Sequence, residues 1–154
     1  MNINQKKYEI IIQAGGRGSR LRHFTWNKPK CLVSFEGKPV IFHIFDQFKN
    51  SNFHIIADYQ VDKIRKYFKI NPPNINYKIY KTNEKGTCSG IKDALNNIHS
   101  NKEVIILWSD LIIKKFPIIN KSPSIITTSS FTCRWSVKKN KIVEKASASS
   151  GIPG

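Results

Sequence analysis

The chain has 154 residues, enough for one domain with a hydrophobic core. A hydrophobic share of 40% and an aromatic share of 11% exclude a disordered chain, and no apolar run reaches the ~20 residues that span a bilayer. The net charge of +16 points to anionic partners, but its lysines are spread along the whole chain, which argues against one basic stripe specific for nucleic acid.

Taken in order, residues 8–13 read as a strand buried on both faces, because Ile10, Ile11 and Ile12 form an unbroken β-branched run. A long loop follows, as far as Lys30. Cys31, Leu32, Val33 and Phe35 read as a short extended piece behind Pro29, with a turn at Gly37 and Lys38. From Pro39, the apolar residues Ile41, Ile44, Phe45 and Phe48 recur at helical spacing, and proline suits a first turn. Residues 53–57 give a second strand, 61–68 a helix stopped by Pro72 and Pro73, and 77–80 a third strand. Thr87 suits the cap of a helix running through Ile91, Leu95 and Ile98. Residues 103–107 read as a fourth buried strand, with Trp108, Ser109 and Asp110 at its C-terminal end; further strands are expected at 125–128, 131–137 and 141–143. Strands alternating with helices predict an α/β fold: a Rossmann-like, mostly parallel open sheet with helices on both faces, in one domain over residues 1–154.

Cys31, Cys88 and Cys133 form no C-x-x-C pair and suggest neither a zinc site nor a disulfide framework. His23, His43, His54 and His99 lack ligand spacing. The N-terminal residues carry charge without a following signal-type apolar region, so the expected location is the cytoplasm.

The chemistry gathers at the strand exits. The first strand opens into Gln13, Ala14, Gly15, Gly16, Arg17, Gly18, Ser19 and Arg20, and Lys30 follows behind Pro29. Glycines let a backbone turn with positive φ and bring N–H groups close to an anion, while Arg20 and Lys30 add charge from either side. The P-loop is excluded because Gly18 is followed by Ser19-Arg20, and the dinucleotide fingerprint because its third glycine position holds Leu21. The bland alternative is a glycine turn with incidental cations. Asp110, at the exit of the fourth strand, lies on the same carboxyl edge, where open α/β sheets bind ligands. A carboxylate facing phosphates there suits Mg²⁺, and a turn aspartate is its bland counterpart.

The pattern G-G-x-G-S-R-L, then Thr25, then Pro29-Lys30, resembles the signature of the nucleotidyltransferases that activate sugar phosphates and other small phosphates. The resemblance implies a GT-A-like nucleotidyltransferase fold and a longer catalytic domain than this chain, with a second metal-binding aspartate beyond residue 154. It also implies roles. Residues 13–19 hold the nucleotide, Arg20 faces the leaving pyrophosphate and Lys30 the α-phosphate, and Asp110 holds the catalytic Mg²⁺. Gly86 and Thr87 border the base and sugar pockets; Glu84, just before them, is a candidate for a hydrogen bond to a base edge, with a solvated loop glutamate as the bland alternative. Lys145, in Ile142-Val143-Glu144-Lys145, approaches the acceptor's phosphate.

The implied reaction transfers a nucleotidyl group, CMP favoured, from a nucleoside triphosphate to a phosphorylated small acceptor, with surface polysaccharide or capsule precursors as the product class. Hexose 1-phosphate uridylyl, guanylyl or thymidylyl transfer is the alternative within the family. A non-catalytic nucleotide-binding module is the alternative of another class. Neither a specific nucleic acid nor membrane insertion is expected, and a homo-oligomer is left open.

Overall fold

The structure is a computed structural model that describes residues 7–82, 87–113, 123–124, 135–138 and 141–144. Two compact units divide the chain, Met1–Phe116 and Pro117–Gly154.

The first unit is built on a four-stranded parallel sheet. Strand β1 (Glu9–Gln13) pairs on one side with β4 (Asn52–Ala57) and on the other with β6 (Val104–Trp108), and β5 (Asn76–Lys81) extends the sheet beyond β4. The isoleucine run makes β1 a central strand: Ile10 and Ile12 face one side of the sheet and Ile11 the other, all without exposed surface. The short β2 (Ser34–Phe35) and β3 (Lys38–Pro39) form an antiparallel hairpin around Glu36 and Gly37.

Helix α1 (Val40–Gln47) starts from Pro39, whose fixed φ of −56° suits a helix entrance. It packs Ile41, Ile44 and Phe45 over Ile10, Ile12 and Phe53. Helix α2 (Val61–Ile70) adds Val61, Ile64 and Phe68 to the same face, spaced for a single apolar stripe, and ends before Pro72 and Pro73. The Phe45 ring centroid lies 4.9 Å from that of Phe53 and 5.9 Å from that of Phe68, in edge-on contacts that fill the layer. Helix α3 (Thr87–Asn96) covers the opposite face through Ala94 on Ile11 and Ile56. A Cβ at Gly90 would stand 2.4 Å from Ile56 Cγ2 and 2.6 Å from Thr82 Cγ2, so α3 lies against the sheet because position 90 has no side chain.

At the amino ends of the strands a polar cluster ties this face together. Asn52 Nδ2, Ser100 Oγ and Lys102 Nζ donate to Glu9 Oε1 at 2.8, 2.9 and 3.2 Å. His54 Nε2 lies 2.9 Å from Glu9 Oε2, and the Tyr80 hydroxyl 2.8 Å from His54 Nδ1. Burial pushes the Glu9 carboxyl up, but its hydrogen bonds with His54, Asn52, Ser100 and Lys102 outweigh this and hold it at about 2.

The open parallel sheet with helices on both faces is the architecture expected, and three local expectations are corrected. Of the extended piece expected from Cys31 to Phe35, Cys31 and Leu32 lie in a 3₁₀ turn, whereas Val33 is extended and Phe35 lies in β2. Of the three apolar residues expected to line the third helix, Ile91 and Ile98 pack against the cluster of Ile11, Ile56 and Ala94, but Leu95 is 44% exposed and the close approach is made at Gly90 and Ala94. Strand β6 is not buried on both faces: it ends the described sheet, and Val104, Ile106 and Trp108 are exposed.

In the second unit, β7 (Trp135–Lys138) and β8 (Lys141–Glu144) pair as an antiparallel hairpin. The strand expected at 125–128 and residues 131–134 lie outside the described residues.

Candidate active site

The glycine loop begins where β1 stops. Ala14 stays in the ladder by donating its N–H to Ile56 O at 2.8 Å, and Ser109 N donates to Gln13 O at 3.1 Å. Gln13 is half-buried, with Ile56 and Trp108 as its partners on the neighbouring strands. Past Ala14 the chain leaves the sheet, and Gly16, Arg17, Ser19 and Arg20 are exposed.

Gly18 turns the loop at φ 65° and ψ 30°, a left-handed conformation that favours glycine, and a 3₁₀ segment over Ser19–Thr25 follows. That segment kinks at Arg22, which adopts φ 45° and ψ −123°. Thr25 holds both irregular points. Its buried hydroxyl lies 2.9 Å from Gly18 O and 3.2 Å from Arg22 O. A Cβ at Gly18 would meet Thr25 Cγ2 at 2.9 Å and Lys30 Cβ at 3.1 Å, so the loop folds directly onto Thr25 and Lys30.

Pro29, at φ −66° and ψ 150°, delivers the chain into the 3₁₀ turn Lys30–Leu32. From there the Lys30 ammonium reaches Asp110 and forms an ion pair with Oδ2. Asp110 stands just beyond β6, so two residues 80 positions apart meet at the carboxyl edge of the sheet. Both remain partly open to solvent, at 25% and 42% side-chain exposure. The neighbouring Cys31 has no exposed surface, and burial pushes its thiol up to about 12.

Aromatic side chains stand around this edge. Trp26 is 77% exposed, and Phe24 and Trp108 are each 54% exposed. His23 bridges the first two, with ring centroids 4.1 Å from Phe24 and 6.3 Å from Trp26. The turn from β4 into α2 closes the loop's other side. Arg17 Cζ lies 5.8 Å from the centroid of the Tyr59 ring, and Lys63 Nζ donates to Asn27 O at 2.6 Å.

The loop, Lys30 and Asp110 thus share one edge. Arg20 is an exposed residue in the first turn of the 3₁₀ segment. Thr87 is the first residue of α3, while Glu84, Gly86 and Lys145 lie outside the described residues. Sequence reasoning assigned no role to Tyr59 or Lys63. Their signal was position: they follow the carboxyl end of β4, the same edge that drew attention to Asp110.

No group of three or more His, Cys, Asp or Glu occurs among the described residues. A single carboxylate at a strand exit fits Mg²⁺, which takes one or two carboxylates and fills its other positions with phosphate oxygens and water.

A parallel sheet whose carboxyl edge carries a glycine turn and a lysine–aspartate pair defines an α/β protein with its polar groups gathered at that edge. The nucleotidyl transferase family model matches residues 9–126, and the chain belongs to that family. It is 34% identical over 108 residues to the bifunctional protein GlmU of Methanococcus maripaludis, covering 69% of this chain and 25% of that protein. It is 28% identical over 148 residues to the CTP:phosphoglutamine cytidylyltransferase of Campylobacter jejuni, covering 88% of this chain and 58% of the relative. The crystal structure of HddC from Yersinia pseudotuberculosis superposes with a TM-score of 0.56 at 26% identity, over 68% of this chain and 50% of the other. The chain therefore spans a quarter to somewhat over half of the length of these relatives. No helix among the described residues is long and apolar enough to cross a membrane.

Proposed function

We propose that the chain forms the nucleotide-binding part of an enzyme that transfers CMP from CTP to a phosphorylated small acceptor. Pyrophosphate is released, and the product serves as a precursor of surface polysaccharide or capsule. The observation that carries the reading is the meeting of Lys30 and Asp110 beside the glycine loop. The likeness to a CTP-dependent relative over 88% of this chain favours cytidine. Hexose 1-phosphate uridylyl, guanylyl or thymidylyl transfer is the second reading, because the same loop chemistry serves it.

A phosphate oxygen of the acceptor attacks the α-phosphorus, a new P–O bond forms, and the bond to the β-phosphate breaks with its electron pair leaving on pyrophosphate. The attacking oxygen is already ionised near neutral pH, so no general base is needed. The chain's contribution is placement and charge. Residues 13–19 hold the triphosphate, Arg20 steadies the departing pyrophosphate, and Lys30 neutralises charge on the α-phosphate. Asp110 holds Mg²⁺, which when bound neutralises phosphate charge. Glu84, Gly86 and Thr87 border the base and sugar, and Lys145 meets the acceptor.

The test is thermal stability against CTP, UTP, GTP, ATP and dTTP, each with and without Mg²⁺. A ligand at 100 times its dissociation constant adds about 2.7 kcal/mol, readily seen as a rise in melting temperature. A shift largest for CTP with Mg²⁺ is expected. A shift confined to UTP, GTP or dTTP moves the reading to sugar-nucleotide synthesis, and no shift with any nucleotide removes both.

A further inference from the structure

Arg17 is the one cation inside the glycine run, and it does not stand unsupported. Its guanidinium lies over the Tyr59 ring, 5.8 Å from the centroid, within the range of a cation–π contact. Two further contacts join the same turn to the same loop. A Cβ at Gly15 would lie 3.2 Å from Asp58 N and 3.3 Å from Asp58 Cβ, so the start of the loop rests directly on the residue before Tyr59. On the far side, Lys63 Nζ donates to Asn27 O at 2.6 Å. The segment from Asp58 to Lys63 thus touches the loop on either side of Arg17, Arg20 and Arg22, at Gly15 and at Asn27.

That segment is itself shaped for the purpose. Gln60 adopts a left-handed conformation, φ 54° and ψ 35°, which is costly for a residue with a side chain, and its Nε2 donates to the Tyr59 hydroxyl at 2.9 Å. Strain at a junction between a strand and a helix is kept where the surrounding structure needs that exact path of the chain.

We infer that Tyr59 is a positioning residue for nucleotide binding: its ring seats Arg17 and so fixes the middle of the glycine loop before any ligand arrives. The inference rests on the proposed nucleotide site for its purpose, but the seat itself exists without ligand. Preorganising a loop spares the ordering cost that binding would otherwise meet, so loss of the seat weakens triphosphate binding through Arg17 alone.

The experiment compares Tyr59→Leu, Tyr59→Phe, Arg17→Ala and the double variant Tyr59→Leu with Arg17→Ala. Leucine keeps an apolar cover over the turn and removes the ring face; phenylalanine keeps the face and removes only the hydroxyl. Two quantities are read: amide hydrogen exchange of residues 15–19 in the ligand-free protein, and the dissociation constant of CTP with Mg²⁺. In Tyr59→Leu, loop exchange is expected to speed up and binding to weaken by about 2- to 5-fold each, the range of an exposed cation–π contact. Exchange in β1 should be unchanged. Tyr59→Phe, which keeps the ring face but loses the hydrogen bond from Gln60, should change both readouts less than Tyr59→Leu, and Tyr59→Leu should add nothing once Arg17 is alanine. Unchanged loop exchange in Tyr59→Leu, or full additivity with Arg17→Ala, overturns the inference. If exchange responds as expected but no variant, parent included, binds CTP, the seat stands and the cytidine reading fails.

Discussion

Lys30 and Asp110 neutralise each other across the site, and each is also the group a triphosphate complex would claim for itself. A nucleotide bound as proposed, together with its cation, would replace one ion pair by two, which would favour their arrival together. Lys30→Ala or Arg20→Ala is expected to lower turnover roughly 10²-fold or more in a pyrophosphate-release assay, the usual cost of losing a preorganised transition-state contact. Parent-like turnover in either variant would remove that residue from the chemistry. Thr25 matters differently. Its hydroxyl lies buried within hydrogen-bonding distance of Gly18 O and Arg22 O, so Thr25→Val should cost about 1–2 kcal/mol of stability, seen as a lower urea midpoint with an unchanged slope. That the Gly18 loop and Asp110 share one edge was legible in the sequence, because each follows a run that reads as a strand of one parallel sheet; the contact of both with Lys30 is seen only in the fold. Tyr59 was not legible, because an aromatic residue after a strand is compatible with simple packing, and the contact with Arg17 exists only once β1 and β4 lie side by side.

Elements were legible where hydrophobic period alone decides them. β1, α1 and α2 carry their burial in the order of their side chains, and the structure places them where that order predicts. β6 shares the apolar run of a central strand, yet its exposure depends on what lies beside it, which a local pattern does not encode. In α3, the face was chosen by the close approach at Gly90 and not by the bulk of Leu95. The Glu9 cluster joins β1, β4 and the segment after α3, and its effect on stability has a definite sign. The folded carboxyl is depressed to about 2 from an ordinary 4.5, so its stabilisation is complete above pH 4.5 and is lost as pH falls toward 2. The amount is on the order of 3 kcal/mol. Glu9→Gln should lower stability at neutral pH and flatten the loss between pH 4.5 and 2 in denaturant titrations. An acid limb as steep as the parent's would show that Glu9 does not carry it.

Across the first unit, the two ends of the parallel sheet have different work. The amino ends of β1 and β4 are fastened by the Glu9 cluster, whereas the carboxyl ends carry the glycine loop and the Lys30–Asp110 pair. Family and fold could be read from the whole chain because the loop motif and the strand–helix alternation agree. The acceptor could not, since the same glycine-loop motif serves phosphorylated sugars and other small phosphates alike.

Cys31 gives this arrangement a clock. Its thiol is sealed directly behind Lys30, while Cys88 is exposed. A maleimide will therefore label Cys88 promptly and will reach Cys31 only in the moments when the turn beneath the lysine opens. The labelling rate of Cys31, followed by peptide mass spectrometry, counts those moments directly. It should lag far behind Cys88 and slow further when CTP and Mg²⁺ occupy the site. Equal labelling of the two cysteines would mean that the floor of the site swings open faster than the reagent can react.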